Sequence, residues 1–207
     1  SGLDQFPVTV VGTTSVANIN FGYAIGAGTA SIGDTVWLDA NNDGVFQASE
    51  TPLSGVTAYL CPGTPCTSGN ATRTTTTDAD GIYLFSGLAA GNYFVGVNGA
   101  TVPANLTGTT YPTGTTGSIA LSDGQAYLNA DFAYQPATNY AVLGDTVWYD
   151  VNGNGVQDGN EVGIGGVAVQ VVNSAKQAVI ALVATAPDGT WLAVIAEDVT
   201  PTDYVVL

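Results

Sequence analysis

Asp39-Ala40-Asn41-Asn42-Asp43-Gly44-Val45-Phe46-Gln47-Ala48-Ser49-Glu50 decides how the chain is read, and Asp150-Val151-Asn152-Gly153-Asn154-Gly155-Val156-Gln157-Asp158-Gly159-Asn160-Glu161 repeats its pattern. Each stretch fits the twelve-residue EF-hand loop. Oxygen donors fall at loop positions 1, 3, 5, 9 and 12, glycine at position 6 permits the sharp turn, and the carbonyl of position 7 completes the shell. The candidate ligands are Asp39, Asn41, Asp43, Val45, Gln47 and Glu50 in the first loop, and Asp150, Asn152, Asn154, Val156, Asp158 and Glu161 in the second. A shell of carboxylate, amide and carbonyl oxygens suits a hard cation, so Ca2+ is the expected cofactor. Ordinary Asp/Asn/Gly turns are the competing reading, and the recurrence of the whole pattern in register weighs against them.

The step from Asp39 to Asp150 is 111 residues, and the same step carries other landmarks with it. Ile32-Gly33-Asp34-Thr35-Val36-Trp37 becomes Leu143-Gly144-Asp145-Thr146-Val147-Trp148, and Ser54-Gly55-Val56 becomes Gly165-Gly166-Val167. Asn18-Ile19-Asn20-Phe21-Gly22-Tyr23 becomes Asn129-Ala130-Asp131-Phe132-Ala133-Tyr134. The chain is therefore a tandem repeat. Its expected organisation is a closing strand of a preceding repeat over residues 1–25, a complete repeat over 31–135, and an incomplete next repeat over 142–207, as in a window on a longer array.

Composition narrows the class. With 45% apolar residues, a 111-residue repeat can bury one core of its own. The net charge is −15, yet only 9% of residues are charged and only two are basic. Nucleic acid and anionic membrane surfaces are poor partners for such a chain, because both need clustered Lys and Arg. Cations are the natural counterpart, and two bound Ca2+ ions would bring the charge to −11. No apolar run approaches the roughly 20 residues of a membrane-spanning helix. The only two cysteines, Cys61 and Cys66, flank a Pro/Gly turn. A local disulfide is expected, stabilising by roughly 2 kcal/mol and pointing to an oxidising compartment.

Hydrophobic alternation with period two, β-branched residues and frequent turn signals predict β structure almost throughout. Strands are expected at Thr35–Leu38, Arg73–Thr77, Ile82–Phe85, Tyr93–Val97 and Ser118–Leu121. Val56, Ala58 and Leu60 form one inward face, and Leu128, Ala130, Phe132 and Tyr134 another. Seven or so short strands per repeat imply a sandwich. The joints, residues 24–30 and 135–141, are too short for a floppy tether.

Taken in order, Ile32-Gly33-Asp34-Thr35-Val36-Trp37-Leu38-Asp39, the first loop, Pro52-Leu53-Ser54-Gly55-Val56 and Thr77-Asp78-Ala79-Asp80-Gly81-Ile82-Tyr83 resemble the B-type repeat of serine-aspartate-repeat surface adhesins, related to collagen-adhesin B domains. The second copy matches through Asp145, Trp148, the loop to Glu161, Ile164-Gly165-Gly166-Val167 and Asp188-Gly189-Thr190-Trp191. The resemblance implies an all-β fold of tandem Ig-like or prealbumin-like β-sandwich repeats, extracellular and rigidified by calcium. It also implies that Asp34, Asp78, Asp80, Asp131 and Asp145 could supply further calcium ligands, although turn and surface roles explain them equally well. Related domains often carry a Lys-to-Asn crosslink. The complete repeat has no lysine, Lys176 being the only one in the chain, so that bond is not expected in residues 31–140.

The expected function is a non-catalytic, calcium-stabilised stalk or spacer of a cell-surface adhesin-like protein, whose partners are adjacent repeats. One alternative is a protomer of an extracellular filament or sheath built by strand sharing. Another is a carbohydrate-binding module, which would need Trp37, Trp148 or Trp191 as an exposed platform. With no histidine in the chain, Ser/His and Cys/His catalysis are impossible.

Overall fold

A computed structural model describes residues 29–47, 49–110, 114–175, 178–197 and 204–207. The closing strand expected in residues 1–25, the joint at 24–28 and Lys176 lie outside them. The first block holds β1 (Ala30–Leu38), β2 (Thr51–Pro52), β3 (Thr57–Pro62), β4 (Arg73–Thr76), β5 (Ile82–Leu88), β6 (Gly91–Val97), β7 (Leu106–Gly108), β8 (Ile119–Leu121), β9 (Ala126–Tyr127) and β10 (Phe132–Pro136). The second holds β11 (Tyr140–Thr146), β12 (Ala168–Asn173), β13 (Ala178–Ala184), β14 (Thr190–Ala196) and β15 (Tyr204–Val206). Among the described residues the only helical element is a 3-10 turn at Gly99–Thr101, capped by the Asn98 side chain. The protein is all-β.

Eight of the nine residues of β1 are buried, so its backbone groups must find partners on both edges. They do so along the whole strand. The first half pairs antiparallel with β5 and parallel with β9, and the second half pairs antiparallel with β2 and parallel with β10. β7 adds to the free edge of β10. The facing sheet runs β4-β3-β6-β8, antiparallel throughout. Ile32, Val36, Tyr83, Phe85 and Phe132 from the first sheet meet Val56, Ala58, Leu60 and Val95 at the other, and this apolar layer is the core of a two-sheet sandwich. Burial pushes the phenol of Tyr134, at the margin of this layer, up to about 12. Cys61 and Cys66 form a disulfide at the end of β3.

The second block repeats the local geometry. Val36 N–H donates to Gly81 C=O and Leu53 N–H to Val36 C=O, just as Val147 N–H donates to Gly189 C=O and Ile164 N–H to Val147 C=O. Gly81 and Gly189 sit at φ 71° and 86°, and a Cβ on either would come within 2.5 Å and 2.3 Å of the Val36 and Val147 carbonyl oxygens. Only glycine fits both the left-handed backbone and the contact. Buried Thr77 ties the same corner together, its hydroxyl donating to Leu53 C=O and accepting from Val56 N–H. Thr185 does the same with Ile164 and Val167. β11 pairs with β14, and β12 lies between β13 and β15.

One expectation needs correction. The strand read over residues 128–134 begins only at Phe132, and Leu128 is 50% exposed. Alternation was extended past the strand's real start, because Leu128 follows the end of β9 before the chain turns into β10. Trp37 is buried on the face of β1 away from the core, against Phe46 of the loop. These assignments predict that Phe132→Ala costs about 3–5 kcal/mol, whereas Leu128→Ala costs about 0.5 kcal/mol or less. Urea unfolding of the two variants measures both, and equal losses would contradict the register of β10.

Candidate metal centre

The first loop connects two strands that are already paired, Leu38 facing Thr51 and Trp37 facing Pro52, so its ends are fixed before any ligand binds. Asp39 at position 1 accepts from Asp43 N–H at 3.2 Å and Gly44 N–H at 3.0 Å. Asn41 at position 3 accepts from Asp43 N–H, and Asp43 at position 5 accepts from Val45 N–H at 2.8 Å. Glu50 at position 12 closes the ring by accepting from Ala40 N–H at 2.9 Å and Gln47 N–H at 3.1 Å. The side chains therefore turn inward because the backbone donates to them. The Val45 hydrogen bond chiefly holds the Asp43 carboxyl below its ordinary range, with help from Gln47 and Asn41.

The second loop makes the same bonds with different residue types. Asp150 accepts from Asn154 and Gly155 N–H, Asn152 from Asn154 N–H, and Asn154 from Val156 N–H. Glu161 accepts from Val151 N–H at 2.8 Å and Asp158 N–H at 3.1 Å. In each loop two amide NH2 groups converge on one carboxylate oxygen. Asn41 and Gln47 donate to Asp43 Oδ2, and Asn152 and Asn154 to Asp158 Oδ2. Reversing those amides presents oxygen in place of nitrogen.

The donor set fits a hard cation on chemical grounds. It is oxygen-only, mixing carboxylates, amides and the backbone carbonyl of position 7. Asp39, Glu50 and Glu161 are 1%, 7% and 8% exposed, and carboxylates so buried call for compensation. The one basic residue described, Arg73, is committed elsewhere, donating to Ser86 C=O and lying over Phe85. Among the described residues no group of three or more His, Cys, Asp or Glu side chains is gathered to hold a metal unaided. Any ion would depend on the amide and backbone oxygens as well.

The loops differ in their support. Asp39 N–H donates to Tyr134 C=O at 2.8 Å, and Gln135 Nε2 donates to Asp39 C=O, so β10 braces the first loop position. Asp150 is exposed, and among the described residues no strand stands beside it as β10 stands beside Asp39. Phe46 also covers Trp37, with ring centroids 5.8 Å apart, whereas Gln157 occupies the same loop position beside the less buried Trp148. Neither the brace nor the cover was visible in the sequence pattern, which fixes ligand spacing but not what packs beneath it.

Of the remaining aspartates, the structure brings Asp34 and Asp131 together around Thr35. Asp131 Oδ1 accepts from Thr35 N–H, and Asp34 Oδ1 accepts from the Thr35 hydroxyl. Asp78 caps its own turn by accepting from Asp80 and Ile82 N–H, and Asp145 accepts from Thr146 N–H.

A profile of the SdrD B-like domain matches residues 30–133 and again 141–206. The chain belongs to the SdrD B-like domain family. It is 37% identical over 174 residues to serine-aspartate repeat-containing protein F of Staphylococcus epidermidis, covering 79% of this chain and 9% of that protein. Against serine-aspartate repeat-containing protein D of Staphylococcus aureus strain Newman it is 39% identical over 154 residues, covering 69% of this chain and 11% of that protein. The chain thus spans about a tenth of the length of these relatives. A streptococcal ancillary pilin aligns over 87% of this chain and 59% of its own, at 14% identity and a TM-score of 0.39, which is too low to argue from.

Within this SdrD B-like pair, Asp131 offers a pH test. Burial, reinforced by nearby Asp34, raises its carboxyl above the ordinary value even though Thr35 N–H opposes the shift. A raised acid binds its proton more readily folded than unfolded, so its contribution makes stability fall as pH rises through that range. In metal-free protein Asp131→Asn, which keeps the acceptor for Thr35, should raise the melting temperature at neutral pH and remove the part of its decline that sets in as pH rises above the ordinary aspartate range. Thermal melts across pH measure this, and a lower melting temperature in the variant would refute the assignment.

Proposed function

We propose that the chain is a calcium-stabilised spacer in the extracellular stalk of a cell-surface adhesin, with adjacent repeats as its immediate partners. On this reading residues 31–135 form a complete repeat, 142–207 the front of the next, and 1–25 the closing strand of a preceding one. The observation that carries the calcium part is the duplicated hydrogen-bond ring, in which a buried glutamate at position 12 ties N–H groups at positions 2 and 9 in both loops. Asp39, Asn41, Asp43, the Val45 carbonyl, Gln47 and Glu50 would hold one ion, and Asp150, Asn152, Asn154, the Val156 carbonyl, Asp158 and Glu161 the other. When bound, the ion supplies positive charge that offsets carboxylate repulsion and fixes a twelve-residue connection.

The spacer part rests on family membership and on the direction of the chain. Because β1 and β10 are parallel neighbours, the backbone enters the first repeat at one pole and leaves at the other. Only three residues, 137–139, separate β10 from β11, so successive repeats extend end to end. A carbohydrate-binding reading has less support, since Trp37 is buried and Trp148 and Trp191 are half-buried, leaving no tryptophan platform.

Thermal unfolding in excess calcium and in excess chelator, with bound calcium counted, tests the proposal. Two or more ions per chain are expected. Each filled site should add about 2.7 kcal/mol at a calcium concentration a hundredfold above its dissociation constant. Glu50→Gln removes the bidentate ligand and should abolish most of the gain at the first loop while leaving the second. No bound ion and no shift would reduce both loops to ordinary turns.

A further inference from the structure

Asparagine followed by glycine is among the dipeptides most prone to lose the side-chain amide, because glycine has no Cβ to shield its own backbone nitrogen. The sequence holds three such pairs, Asn98-Gly99, Asn152-Gly153 and Asn154-Gly155, and the second loop contains two of them back to back. The first loop has none, since its positions 3 to 6 are Asn41-Asn42-Asp43-Gly44. Residues 152–155 are exposed, and a Cβ added to Gly153 or Gly155 would meet nothing within 4 Å, so solvent reaches both bonds.

In deamidation the glycine nitrogen loses its proton and attacks the asparagine Cγ. An N–C bond forms, the side-chain nitrogen takes up a proton and leaves as ammonia, and water opens the cyclic imide at either carbonyl to give aspartate or isoaspartate. Nothing is oxidised or reduced. The second loop holds every reacting group. The Asp150 carboxylate accepts from both attacking nitrogens, Gly153 N–H at 2.7 Å through Oδ1 and Gly155 N–H at 2.8 Å through Oδ2. A carboxylate at that distance opposes loss of the proton. Asp158 Oδ2 accepts from both departing groups, Asn152 Nδ2 at 2.6 Å and Asn154 Nδ2 at 3.0 Å. Asn152 Oδ1 and Asn154 Oδ1 accept from Asn154 N–H and Val156 N–H, which fixes each side chain in place.

We propose that Asn152 and Asn154 are latent deamidation sites, kept intact by Asp150 and Asp158 while the second loop is closed and modified when it opens. The loop thereby carries a chemical record of its own opening. The two products differ in effect. Aspartate at 154 gives position 5 the residue type of Asp43 in the first loop. Isoaspartate routes the backbone through the side chain and adds a carbon between Asp150 and Glu161. The hydrogen bonds from Val151 and Asp158 N–H to Glu161 then lose their spacing, so a loop modified in this way does not close again. The protection comes from the loop's own hydrogen bonds and does not depend on a bound ion.

Incubation of the 207-residue chain at mildly alkaline pH in excess chelator, followed by peptide mapping with mass spectrometry, tests the proposal. A synthetic peptide of residues 148–163 supplies the rate of the open loop. Asn152 and Asn154 should react at least about tenfold more slowly in the folded chain than in the peptide, and urea should bring both to the peptide rate. Asp150→Ala should speed both sites together and leave Asn98, which lies outside the loops, unchanged. Amide exchange at Val171, followed on the same samples, shows whether the strands of the second block stay closed in that variant. If they open, the milder Asp150→Asn takes its place. Reaction at the peptide rate in the folded chain, sites that stay intact in urea, or an Asp150 variant with closed strands and parental rates would each overturn the proposal.

Discussion

The hydrogen-bond demand of one buried strand organises the first repeat. β1 is covered on both faces, and every peptide group along it must be met from the side. Four strands answer, two on each half, and the sixth member of the sheet, β7, attaches through β10. The remaining features hang from this arrangement. The twelve-residue loop begins where β1 stops, Asp39 at its first position is held by β10, and the Gly81 carbonyl of the Asp-Gly corner accepts from Val36 N–H in the middle of the strand. A glycine at position 33 lets β5 approach closely, since a Cβ there would lie 2.2 Å from Tyr83 C=O.

The loop is pre-shaped by its own backbone. Four N–H contacts of equivalent kind recur in both loops, whose sequences differ at most of positions 3 to 9, so the fold of the loop is set by where short acceptors stand. Asp and Asn exchange at position 5 without altering it. The cost is a cluster of carboxylates drawn into little volume, eased by amide N–H groups and, on the proposed reading, by a cation. Burial of Trp37 beneath Phe46 connects this loop to the sheet, and ordering the loop therefore orders part of the outer face.

Much of this was legible in the sequence. The spacing of acceptors in the two loops, the Cys61–Cys66 bridge, the all-β class and the tandem step follow from residue types at fixed offsets, because turns and caps are local chemistry. Longer-range facts were not. Alternation names two faces of a strand but not what covers the second, so the packing of Phe46 over Trp37 has no signal in it. It also runs on past a strand's true start, so Leu128 was counted inward. The parallel partnership of β1 with β9 and β10 joins residues nearly a hundred apart, and no local signal announces it. Nothing local marks Thr77 and Thr185, although each hydroxyl bridges two backbone groups at a buried corner.

The parallel pairing has a mechanical consequence. When tension is applied to the two ends of the first repeat, β1 is pulled one way and β10 the other along their common axis. The bonds between them are then loaded in shear, so they share the force and must fail together. An antiparallel hairpin with both ends at one pole would instead open like a zipper, one bond at a time. The Asp39–Tyr134 bond extends the sheared contact to the first residue of the loop, so the loop lies in the line of force.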